Sequence, residues 1–69
     1  MRVKMINTCV LNGCEYRAGL VFNLDLETGK EFVSKWPLDG WFEDQELPKN
    51  EKEQEKICSK LIEEEEYHA

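Results

Sequence analysis

Apolar and polar residues alternate along most of the first 48 positions, and turn residues interrupt the alternation at short intervals. Asn12-Gly13 is the strongest interruption, because both residues tolerate the positive φ that a two-residue type I′ hairpin requires. With Leu11 opposite Cys14, Val10 faces Glu15, Cys9 faces Tyr16 and Thr8 faces Arg17. Side chains alternate along a strand, so Met5, Cys9, Leu11, Cys14 and Tyr16 then share one face, and Ile6, Thr8 and Val10 the other. Glu27-Thr28-Gly29-Lys30 marks a second turn. Phe22, Leu24 and Leu26 alternate with polar residues before it, and Phe32, Ser34 and Trp36 fall at every second position after it. The pattern predicts a bulged hairpin with Gly29 left-handed and with Phe22, Leu24, Phe32 and Trp36 as its core face. A helix begun at Asp25 competes for this segment. An interior glycine costs a helix about 1 kcal/mol relative to alanine, so the hairpin is the expectation. A third turn at Pro37-Leu38-Asp39-Gly40 leads into a short last strand at Trp41-Phe42. Residues 43–47 read as one tight helical turn ended by Pro48, with Leu47 folded back as an apolar plug.

After position 49 the period changes. Asn50 followed by Glu53 is a capping-box-like start. Ile57, Cys58, Leu61 and Ile62 form a narrow apolar stripe at helical spacing. Glu51, Glu53 and Glu55 suit the positive end of the helix dipole, whereas the four glutamates at 63–66 crowd its negative end and predict a frayed last turn. Four to five short strands, with turns roughly every 8–13 residues, plus this helix define a mainly β chain. The expected organisation is one domain, with a small antiparallel barrel over residues 1–48 and an acidic C-terminal α-helix and tail over 49–69.

Charge follows the same boundary. Residues 1–40 carry five cations and five carboxylates, and residues 41–69 carry four cations and ten carboxylates, so the net charge of −6 sits on the C-terminal part. With 41% hydrophobic and 35% charged residues the balance is that of a folded chain. At 69 residues folding hides only about 60% of the unfolded surface, which leaves little room for a walled catalytic cleft. No apolar run approaches the ~20 residues of a membrane helix, and the first residues lack a signal-peptide apolar stretch. The acidic balance argues against binding nucleic acid by neutralising phosphates.

Candidate chemistry is sparse. Cys9, Cys14 and Cys58 form no Cys-x-x-Cys, and with His68 they match no compact zinc spacing, so neither a metal site nor a cofactor is expected. The hairpin register places Cys9 and Cys14 diagonally, which is awkward for a disulfide, and free thiols in a reducing cytoplasm are the expectation. No histidine stands near a cysteine on a rigid element, Glu43, Asp44 and Glu46 have no cleft, and each glycine has a turn reading. No catalytic residue is assigned, and the chain is read as a non-enzyme.

The stretches Gly19-Leu20-Val21-Phe22, then residues 28–36 with Val33-x-x-Trp36, then Asp39-Gly40-Trp41-Phe42 through Glu46-Leu47 are similar to small SH3-like barrels of the KOW and Tudor type. Many of these are stand-alone small proteins of bacteria and their phages or prophages. The resemblance covers residues 17–47. It implies an SH3-like closed barrel capped by Leu47, and a binding module rather than an enzyme. In such barrels exposed aromatics between the connecting loops form a ligand platform.

Two readings of the aromatics stay open. Either Trp41 and Phe42 pack under the helix stripe, or Tyr16, Trp41 and Phe42 present a binding platform, as interface aromatics often do. Three readings of the helix stay open as well. Its stripe docks on the barrel, or Ile57 and Leu61 bind a partner or form a homodimer, or its acids, Glu63 and Glu64 among them, imitate nucleic-acid phosphates in a basic groove. The functional expectation is a cytoplasmic protein–protein interaction module of bacterial phage or prophage origin. The alternatives are an acidic inhibitor of a nucleic-acid enzyme, and KOW-like nucleic-acid binding by Arg2, Lys4, Arg17, Lys30 and Lys35.

Overall fold

The Asn12-Gly13 pair forms the expected tight turn, with φ of 51° and 79° at its two residues. The computed structural model describes residues 1–68, and the side chain of His68 and all of residue 69 lie outside that description. Strands β2 (Cys9–Leu11) and β3 (Cys14–Tyr16) pair in the expected register, Leu11 with Cys14, Val10 with Glu15 and Cys9 with Tyr16. Thr8 contributes differently from the expectation, since its hydroxyl accepts from the Ala18 amide at 3.1 Å. Cys14 is exposed rather than part of a buried face.

Met5 does not belong to this hairpin. It ends β1 (Arg2–Met5), the central strand of a three-stranded antiparallel sheet with β4 (Val21–Asn23) on one side and β5 (Gly40–Phe42) on the other. Val3 stands opposite Phe22 and Phe42, and Lys4 opposite Val21 and Trp41. Two separate antiparallel sheets result, and they do not close into a barrel. The expected mainly β barrel is therefore corrected to a small mixed strand–helix protein.

The second correction lies at Gly29. Residues 26–33 form helix α1 (Leu26–Val33), not one arm of a hairpin. Asp25 is extended at its N-cap, and the Gly29 amide donates to the Asp25 carbonyl at 2.9 Å. Leu26, Gly29, Phe32 and Val33 line one face at helical spacing. Gly29 sits there because the Met1 side chain crosses it, and any Cβ would run into the Met1 sulfur. This non-local contact overrides the propensity argument, and β4 is left to pair with β1.

Val3, Met5, Phe32, Val33, Leu38, Trp41, Phe42, Cys58 and Ile62 form the buried core. Trp36, expected in it, is 41% exposed, just before a cis peptide to Pro37. Leu47 is not the plug either, being 60% exposed. Residues 43–47 make a turn rather than a helical turn, with the Gln45 amide donating to the Phe42 carbonyl at 3.2 Å, and Pro48 is the buried residue of the segment. Helix α2 (Glu51–His68) starts as expected, with Asn50 Oδ1 accepting from the Glu53 amide at 2.8 Å. It is helical through His68, where fraying was expected. Cys58 and Ile62 are buried, and half-buried Ile57 and Leu61 pack beside them, so the stripe docks on the body.

Candidate functional site

Strand parity decides where the aromatics go. Trp41 lies opposite Lys4 and so projects from the sheet face away from Val3 and Met5. Such a residue would normally be in water, yet Trp41 is 1% exposed. Residues 43–48 fold back as a strap over the ring, and the indole Nε1–H donates to the Glu46 carbonyl at 2.9 Å. The strap is anchored by a two-pronged ion pair in which the Arg2 guanidinium donates to both Glu43 carboxylate oxygens. That bonding holds the Glu43 carboxyl below its ordinary range.

Between the strap and β1 lies a groove of about 420 Å³. Trp41 and Phe42 form its floor, Ile6 and Leu47 its apolar lips, and Lys4 and Gln45 its polar edge. Among the described residues Lys4 has no ion-pair partner. Phe42 meets Trp41 edge-on, with ring centroids 5.0 Å apart at 78°.

The expected site residues are dispersed. Tyr16 is no platform: its half-buried ring wedges between Phe22 and Phe32, 5.0 Å from each, and ties the hairpin to the sheet and to α1. Trp41 and Phe42 are buried, so the exposed platform is corrected to a groove floor. Ile57 and Leu61 pack against the core, and a homodimer through this stripe would compete with that packing. Glu63 and Glu64 are exposed and line a shallow hollow with Lys60 and Tyr67. Sequence reasoning missed Ile6 and Lys4 as groove residues, because their position follows from the β1–β5 pairing, which no local signal carries.

A larger open trough of about 590 Å³ runs along α1, lined by Leu26, Glu27, Lys30, Glu31, Ser34 and Lys35. Its cations are already matched, Lys30 to Glu66 at 2.8 Å and Lys35 to Glu31 and Asp39 at 3.9 Å each. The three cysteines are free. Burial pushes the Cys58 thiol above its ordinary value, and does so at Cys9, where Asp39 adds to the effect. Both are thus held away from the reactive thiolate. Among the described residues no three potential metal ligands converge, and no helix is long and apolar enough to cross a membrane.

In comparison with known proteins, the chain matches no family model, no curated protein and no solved structure.

Proposed function

We propose that this protein is a small, non-enzymatic protein–protein interaction module. The groove over Trp41 carries the reading. A chain with so small a core leaves Leu47 and Ile6 exposed as the lips of a groove closed below by the buried Trp41 and Phe42, an arrangement that suits an apolar side chain of a partner flanked by a carboxylate for Lys4. The SH3-like resemblance of residues 17–47 is the ground for associating the module with bacteria and their phages, although α1 stands where that resemblance implies a strand.

A second reading rests on α2. With its stripe docked, the helix still leaves Glu51, Glu55, Glu63 and Glu64 exposed along its length, which suits an inhibitor competing with nucleic acid for a basic groove. Direct nucleic-acid binding has less support, because four of the five cations assigned to it are matched to carboxylates: Arg2 to Glu43, Arg17 to Glu15, Lys30 to Glu66 and Lys35 to Glu31 and Asp39.

Affinity capture of the tagged protein from bacterial lysate, at low and high salt and with and without nuclease, separates these. The module reading expects a partner identified by mass spectrometry that survives nuclease and high salt and is lost with Leu47→Glu. Loss with salt alone, in a complex indifferent to Leu47→Glu, would move the site to the acidic face. Loss with nuclease would make nucleic acid the ligand.

A further inference from the structure

Strand β4 is an open sheet edge. On its inner side the Leu24 amide donates to the Met1 carbonyl at 2.8 Å, and the Met5 amide donates to the Leu20 carbonyl at 3.0 Å. Hydrogen-bonding direction alternates along an antiparallel strand, so Leu20, Phe22 and Leu24 bond towards β1 while the amides and carbonyls of Val21 and Asn23 point away. β1 is the one strand that β4 pairs with. Outside that ladder, no hydrogen bond among the described residues reaches the backbone of Val21 or Asn23. Apart from its shortness, the edge carries no charge or proline as protection: residues 18–24 contain neither, and Leu20 is 52% exposed with Val21 exposed beside it.

We infer that β4 pairs with β4 of a second copy of this chain, antiparallel about a two-fold axis at Phe22, to give a continuous six-stranded sheet. The register is self-complementary. Val21 bonds Asn23 of the second copy and Asn23 bonds its Val21, so the outward main-chain groups meet each other. On the other face Phe22 stands beside Phe22 of the second copy, and Leu20 beside its Leu24, pairs of the kind that stabilise antiparallel strands. Charge fits the same orientation. Arg17, bonded to Glu15 at 2.7 Å, leaves the leading end of the strand near neutral, whereas Asp25 follows the strand and Glu65 lines a hollow with Asn23 at that far end. Antiparallel pairing sets the acidic Asp25 end of each copy beside the near-neutral Arg17 end of the other, whereas parallel pairing would set the two acidic ends together. In a chain of net −6, this uncharged strip is where two copies approach without opposing their carboxylates. So short an edge gives a weak, concentration-dependent dimer.

Sedimentation equilibrium of the full chain up to about 1 mM, combined with amide exchange at several concentrations, tests this. The expected mass rises from 8.2 kDa towards twice that value. Exchange at Val21 and Asn23 slows as concentration increases, while exchange at Phe22, already bonded to β1, does not. Val21→Pro removes an outward donor without touching the β1 ladder, and weakens the dimer by about tenfold or more. Leu20→Lys, at an exposed position, does the same and decides the matter if the proline variant fails to fold by circular dichroism. A monomer throughout would leave the edge to another protein's strand and overturn self-pairing. So would a dimer unaffected by both folded variants with unchanged exchange at Val21 and Asn23.

Discussion

Gln54 is the one polar side chain fully buried among the described residues, at 1% exposure. Its Nε2 donates to the Val33 carbonyl at 2.6 Å. That carbonyl lies in the last turn of α1, where no helical amide reaches it, so a side chain of α2 completes the end of α1. Gln54→Leu keeps the volume and removes the donor. It is expected to cost about 1–3 kcal/mol, the penalty of an orphaned buried carbonyl, read as a lower urea midpoint with unchanged m-value. The sequence hides this residue, since one Gln inside a Glu/Lys-rich helix looks like any solvated position. Gly29 misleads for a related reason: its value lies in the passage of Met1, distant in sequence and beyond any local rule, and not in a turn.

At the scale of elements, the parts governed by neighbouring residues were legible. The β2–β3 register followed from Asn12-Gly13 alone, and the start of α2 from Asn50 and Glu53, where the capping bond is found. Asn50→Ala should lower stability by about 1 kcal/mol, measured by urea denaturation, because the Glu53 amide loses its acceptor. Elements governed by distant partners were not legible. Met5, expected on the face of the Asn12-Gly13 hairpin, instead ends β1, because the partners of that strand lie near positions 22 and 41. Trp41 and Phe42 are adjacent in the sequence, yet nothing local announces that their rings meet edge-on or that a strap bonds to the Trp41 indole. Of the candidate site, Glu63 and Glu64 are exposed, while the apolar and aromatic residues were consumed by packing, as a core of this size demands.

For the whole molecule, two of the ion pairs link parts distant in sequence: Arg2 with Glu43, and Lys30 with Glu66. Both are exposed, so each contributes little alone. Hydrogen bonding to Arg2 lowers the Glu43 pKa, and hydrogen bonding to the Thr28 side chain lowers that of Asp25. A carboxyl whose pKa is depressed by folding stabilises the protein above its unfolded value and loses that contribution as pH falls through the folded one. The ordinary values are 4.5 for Glu43 and 3.8 for Asp25, so the melting temperature should hold above that range and fall below it. Thermal melts between about pH 6 and about pH 3 check this, with Glu43→Gln giving a shallower decline.

The strap also gives the chain two optically distinct tryptophans. Trp41 is sealed with its indole N–H bonded to the Glu46 carbonyl, whereas Trp36 stands part in water on the opposite flank of the cis proline bond. A polar quencher therefore reaches one ring and not the other, and the protected emission belongs to the ring that floors the groove. Lifting of the strap, or arrival of a guest above it, is thereby written into the colour of the protein's own fluorescence, with no label attached.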